Sequence, residues 1–217
     1  VRLTRGDGPA KRGKSRSVPP AASAAPELLV TLDPATDTGA ALFVNGTLRA
    51  TALLRSKSKA GSGMLGTPIS RAEVVGTQLQ DWLWTHGPDF GVNEHRILHV
   101  AYEWPQIYAR GSKSKTKGDP NNMLMLAAIA TGAVLALRKV AHVQSAIPYK
   151  PADWIGQLPK DTDRPADESP RGQLIARNLY PHETVVARNQ LQHDVWDAIG
   201  IGLFHLGRLK RHVNHFA

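Results

Sequence analysis

The stretch Leu28-Leu29-Val30-Thr31-Leu32-Asp33-Pro34-Ala35-Thr36-Asp37-Thr38-Gly39-Ala40-Ala41-Leu42-Phe43-Val44-Asn45-Gly46-Thr47 decides the fold. An apolar, partly β-branched run ends abruptly in a carboxylate, Asp33. A turn-rich segment follows, and then a second apolar run. Apolar runs of this length between turn residues read as buried strands. Asn45-Gly46 between two such runs is a strong short-range hairpin signal, because both residues tolerate positive φ. Thr47 to Leu54 then pairs back as a third strand. Asp33 is thereby placed at the end of a buried strand, on the rim of a sheet. A charge there must be solvated, paired or bound to metal.

Beyond the hairpin, residues 55–69 read as a loop. Ser70 caps a helix from Arg71 to about His86, with Val74, Val75, Leu79, Trp82 and Leu83 at helical spacing. Gly87-Pro88 ends it. Arg96 to Tyr102 alternates like a strand and also stops at a carboxylate, Glu103. After a Lys-rich loop, Pro120 leads into a helix from Asn121 to about Lys139, apolar nearly all round, which marks a buried element or a subunit contact. Val140 to Ile147 reads as a strand. Pro148 to Lys160 is a connector with one helical turn, and Asp161 to Pro170 is a mobile acidic loop. Helices near Arg171 to Tyr180 and from about Asn189 to Arg211 complete the chain.

The order is β-β-β-α-β-α-β-α-α. The predicted fold is α/β: a mixed five-stranded sheet, an antiparallel three-strand meander plus two parallel strands, flanked by helices. Right-handed crossovers set strand 28–33 parallel to strand 96–102, and sites in such sheets form at the carboxyl ends of strands. Asp33 and Glu103 both stand at such ends, about 5 Å apart if the strands are neighbours.

Composition narrows the chemistry. The chain has 217 residues, enough for one domain of 27–212 with a full core, between a basic arm of 1–26 and a short tail of 213–217. The arm is mostly Arg, Lys, Ser, Pro, Ala and Gly and is expected to be disordered. The absence of cysteine excludes thiolate catalysis, disulfides and Cys-based zinc sites. No apolar run reaches a membrane span, and the first residues lack a signal-peptide core. The net charge of +9 favours a polyanionic partner, most simply nucleic acid.

The last helix supplies the third element, Leu191-Gln192-His193-Asp194-Val195-Trp196-Asp197-Ala198. Asp194 and Asp197 are three apart and share a helix face. Two acids on a largely buried helix repel each other, and no Lys or Arg lies within a turn of them. A divalent cation is the simplest counter-charge. Asp33, Glu103, Asp194 and Asp197 are all hard oxygen ligands of the kind Mg²⁺ or Mn²⁺ prefers. Clusters of this kind often hold two ions, one activating water and the other stabilising the leaving oxygen of a phosphodiester. Each piece also has a plain structural explanation. A strand-end Asp is often a turn or cap residue. Glu103 suits a solvated edge, and the Asp pair suits a solvated helix face. The conjunction on these elements in this order points to a nuclease.

These residues resemble a known family. The span of about 28–208 is similar to the RuvC-like branch of the RNase H-like superfamily, particularly phage and bacterial Holliday-junction resolvases. The resemblance rests on Leu32-Asp33-Pro34-Ala35-Thr36-Asp37-Thr38-Gly39 with its hairpin, on Tyr102-Glu103-Trp104-Pro105-Gln106, and on His193-Asp194-Val195-Trp196-Asp197-Ala198. A fourth piece, Pro151-Ala152-Asp153-Trp154-Ile155-Gly156-Gln157-Leu158-Pro159-Lys160, looks like a segment that follows the last strand in phage-type members. The resemblance implies an RNase H-like fold, a homodimer in the cytoplasm of a bacterium or phage-infected host, and Mg²⁺-dependent cleavage of branched DNA leaving a 5′-phosphate. By motif position Asp33, Glu103, Asp194 and Asp197 match the family's four acids, with His193 as a neighbouring supporting residue or a ligand. Ala35 departs from the family, which often has Gly there.

Tyr108, Arg110, Lys113, Lys115 and Lys117 follow the Glu103 strand, and Lys150 and Lys160 flank Trp154. The cations suit phosphates, giving salt-dependent affinity without sequence information. Tyr108 suits an unpaired base, though a loop anchor explains it as well. Trp154 reads as core. The 121–139 helix, with its small residues, is the candidate dimer contact. Two other classes fit parts of the pattern: a non-catalytic DNA-binding or virion component that kept the fold, and an actin-like or sugar-kinase ATP-binding domain. The latter needs a second domain that this length does not hold.

Overall fold

The computed structural model describes residues 28–56, 67–87, 89, 97–105, 120–156, 158, 161–188 and 192–209. The arm of 1–26, the tail of 213–217, Tyr108, Arg110, Lys113, Lys115, Lys117 and Lys160 lie outside the described residues.

Five strands form one mixed sheet: β1 (Leu28–Asp33), β2 (Asp37–Val44), β3 (Thr47–Arg55), β4 (Ile97–Glu103) and β5 (His142–Tyr149). Their spatial order is β3-β2-β1-β4-β5. β1 to β3 form the antiparallel meander, and β4 and β5 run parallel to β1. The meander turns at Asn45 and Gly46, with φ of 51° and 75°. Those angles belong to the two-residue hairpin whose twist matches its strands.

β1 is central and buried along its whole length. Its alternate residues serve two cores, as the two-residue period of a strand requires. Leu28, Val30 and Leu32 meet Val75, Leu79 and Leu83 of α1 (Pro68–His86) and Ile129, Ala133 and Leu137 of α2 (Pro120–Leu137). Leu29 lies on the opposite face, against Val195, Ile199 and Ile201 of α6 (His193–His205). Three short helices complete that second layer: α3 (Pro151–Trp154), α4 (Pro170–Ala176) and α5 (Pro181–Arg188).

Several boundaries differ from the sequence reading, each for a local reason. α1 begins at Pro68, capped by Thr67, whose side chain accepts from the Ser70 N–H. Proline at the first helical position costs no hydrogen bond, so the cap moves back from Ser70. β5 runs two residues further than expected, through Pro148 to Tyr149. Residues 161–170, expected as a loop, include short regular structure. They hold a 3-10 turn, Ala166–Glu168, with Ala166 fully buried and Ser169 capping α4. α4 stops at Ala176, and α5 is a helix the sequence reading lacked. The last helix is shorter than predicted and ends before Gly207, where φ is +68°.

Small residues of α2 face α1 at close range. A Cβ on Gly132 would stand 2.8 Å from Ala72 Cβ, and one on Gly76 would stand 3.1 Å from Ala136 Cβ. They let α1 and α2 pack closely, while Leu124 and Leu135 of α2 are exposed. Among the described residues no helix is long and apolar enough to cross a membrane.

Candidate functional site

Asp33 ends β1, and parallel pairing sets Leu32 beside Tyr102, so the next pair along is Asp33 and Glu103. By strand alternation Asp33 shares the α6 face with Leu29, and Glu103 shares it with Ala101. Asp33 is also paired with Gly39 across the hairpin. Gly39 is where α6 begins its approach: a Cβ there would lie 1.9 Å from the Asp194 carbonyl oxygen. Only glycine lets the first turn of α6 sit directly on β2. One turn along, Thr31 Oγ1 donates to the Ala198 carbonyl at 2.7 Å, pinning α6 to β1 beside Asp197. Asp33 and Glu103 therefore stand at one end of the sheet on the face that α6 covers, and the turn of α6 that carries Asp194 and Asp197 packs on that face.

Their environments differ. Asp33 is 6% exposed and Asp197 2%, whereas Glu103 and Asp194 are half-buried. Glu103 Oε2 accepts from the Trp154 indole N–H at 3.0 Å. Asp197 Oδ2 accepts from Arg171 Nη1 at 2.6 Å. This guanidinium overturns the expectation that the Asp pair lacks a protein counter-charge. Arg171 arrives from α4, 26 residues away in sequence, so the rule of neighbours within a turn could not find it.

Trp154 is core, as expected, being fully buried, but its N–H also serves the site. His193 Nε2 donates to the Arg164 carbonyl at 3.0 Å, which ties the start of α6 to the 161–169 segment. Lys150 is exposed just beyond β5, at the same end of the sheet as Glu103. Asp37, to which the sequence reading gave no role, is two residues from Gly39 on the same strand and so shares its face. Its Oδ1 is buried with no hydrogen-bond partner among the described residues.

Hard carboxylate oxygens are the donor set that Mg²⁺ or Mn²⁺ takes, and the residues fit such an ion in kind. Among the described residues, no three or more His, Cys, Asp or Glu side chains are gathered closely enough to hold one. Glu103 and Asp197 each rest an oxygen on a protein donor. Elsewhere on the α6 face, His205 Nδ1 lies 2.9 Å from Tyr149 Oη, and His99 Nδ1 lies 2.7 Å from Ser145 Oγ. Burial lowers the pKa of both histidines, and the charge of His99 lowers that of His205 further. Burial raises the Tyr149 phenol, helped by the negative charge of Asp153.

No family model matches the chain, and no curated protein matches it significantly.

Proposed function

We propose that the chain is a metal-dependent endonuclease of RNase H-like fold that hydrolyses phosphodiesters in branched DNA. The observation that supports this reading is that Asp33 and Glu103 end neighbouring strands of a β3-β2-β1-β4-β5 sheet, on the face where the turn of α6 with Asp194 and Asp197 packs. Their motif resemblance to RuvC-like resolvases adds the substrate class and the homodimer. The +9 charge suits a polyanion.

Asp33, Glu103, Asp194 and Asp197 would hold the ions. Bound divalent cations supply Lewis-acid chemistry to both the attacking and the leaving oxygen of a phosphodiester. The chain's part is to fix the carboxylates. β1 and β4 fix the spacing of Asp33 and Glu103. The Gly39 contact sets the depth of the α6 first turn with Asp194, and the Thr31 bond to the Ala198 carbonyl holds α6 on β1 beside Asp197. Burial of Asp33 and Asp197 removes competing water and strengthens their electrostatics. Lys150 and the cations of the 110–117 and 160 positions would hold phosphates, and Tyr108 an unpaired base.

The test is incubation with four-way, forked and linear DNA, with and without Mg²⁺. Mg²⁺-dependent cleavage of the branched forms is expected, lost in Asp33→Asn with junction binding intact. Full activity of that variant overturns the assignment. The Arg171–Asp197 ion pair favours a second reading, a DNA-binding protein that kept the fold without the chemistry. Junction binding with no cleavage under any divalent cation would select it.

A further inference from the structure

Resting on the metal-site reading above, we infer that Trp154 and Arg171 are positioning residues that orient Glu103 and Asp197 for a divalent cation. Neither belongs to an element that carries one of the four candidate acids. Trp154 closes α3 and Arg171 opens α4, yet each donates to one carboxylate.

The two are also held by each other. The Arg171 guanidinium lies over the Trp154 ring at 5.8 Å, within the range of a cation–π contact. Its Nη2 donates to the Leu158 carbonyl at 3.1 Å, so both ends of the fork are used. The indole is locked from below: a Cβ on Gly200 of α6 would stand 2.5 Å from its ring. Glu103 is thus joined to Asp197 through an indole and a guanidinium, each with little freedom to rotate. One oxygen of each carboxylate accepts from its donor, which restrains the orientation of the group. Partners of this outer kind typically change metal affinity 10–100-fold when lost.

Two substitutions keep the charge and remove the geometry. Trp154→Phe keeps a ring and deletes the N–H donor. Arg171→Lys keeps the cation but loses the planar fork that spans Asp197 and Leu158. Affinity for Mn²⁺ is measured by titration calorimetry on the full chain, with Asp33→Asn as the site control. Each variant is expected to bind Mn²⁺ about tenfold more weakly than the parent. The double variant is expected to lose less than the sum, because the residues act through one stack. Mg²⁺ is also expected to shift the indole N–H resonance that Trp154→Phe deletes.

The outcomes separate. If the parent binds no Mn²⁺, or Asp33→Asn binds as the parent does, the metal-site reading itself fails. If the parent binds and Asp33→Asn does not, but Trp154→Phe and Arg171→Lys bind within twofold of the parent, the positioning role alone is overturned. If Trp154→Phe does not fold, Arg171→Lys decides, with the parent's indole resonance that tracks Asp33-dependent binding. An unmoved set of indole resonances together with parent-like affinity in Arg171→Lys refutes the proposal.

Discussion

Glu183 meets Arg208 through both of its oxygens, whereas Asp197 meets Arg171 through one. In the first pair, Arg208 Nη1 and Nη2 donate to Oε1 and Oε2 at 2.9 and 2.6 Å, and the backbone N–H groups of Leu48 and Tyr180 add one bond to each oxygen. Arg208 also donates to the Gly46 and Asn178 carbonyls and lies 4.0 Å over the Tyr180 ring. That carboxylate is saturated. It ties the hairpin turn, the α4–α5 junction and the end of α6 together. Burial pushes the Glu183 pKa up, but the Arg208 hydrogen bond, the two backbone donors and the Arg208 charge outweigh it, and the pKa is lowered. In the second pair Arg171 Nη1 donates to Asp197 Oδ2 and Nη2 to the Leu158 carbonyl, and Arg171 Nε is buried with no hydrogen-bond partner among the described residues. A carboxylate that takes four donors from three parts of the chain holds a fold together.

The largest expected effect attacks the first pair. Glu183→Gln leaves the Arg208 charge buried without its carboxylate, and breaking a buried pair costs about 3–5 kcal/mol. Urea unfolding should show that loss, while cleavage well below the new melting temperature persists. Next comes Gly39→Ala, which forces a methyl onto the backbone of Asp194 and should cost about 1–3 kcal/mol by overpacking. It should abolish cleavage too, because the first turn of α6 must move. Asp197→Asn inverts the pattern of Glu183→Gln. Asn keeps an acceptor for Arg171 and removes a charge from a group of like charges, so stability should fall by less than half as much while cleavage is lost. Equal stability losses in the two carboxylate variants would erase the distinction between the pairs.

The acids of the candidate site were legible because each sits at an event the sequence marks. Asp33 and Glu103 end apolar runs, and Asp194 and Asp197 share a face of an apolar helix. That Asp33 and Glu103 end neighbouring strands follows from sheet order, which short connections and right-handed crossovers restrict. The groups that hold them were not legible. Arg171 and Trp154 reach the site from short helices whose placement depends on tertiary packing, and no local spacing links them to residues 26 and 51 positions away. Likewise Glu183 and Arg208 look like surface charges in a polar stretch until the hairpin turn folds between them. The apolar pattern of α2 reads as a buried element or a subunit contact, and Gly132 on it gives close packing against Ala72 of α1.

The smallest effect separates the same two regions by pH. His99 and His205 have pKa values lowered from 6.5, burial being the first cause, so the fold prefers both rings neutral. The unfolded chain therefore binds more protons below pH 6.5, and the stability present above that value is lost as pH falls through the folded-state pKa values. Glu183, lowered from 4.5, has the same sign in a lower window: its contribution is present above 4.5 and lost as pH falls through its folded value. Acid unfolding followed by urea midpoints should thus show a shallow limb below 6.5 and a steeper one below 4.5. Replacing His99 and His205 with Gln should flatten the first limb and spare the second, and Glu183→Gln should do the reverse. A first limb that survives the His replacements would move the titration elsewhere. A second limb that survives Glu183→Gln would deny that the Arg208 pair holds the fold against acid.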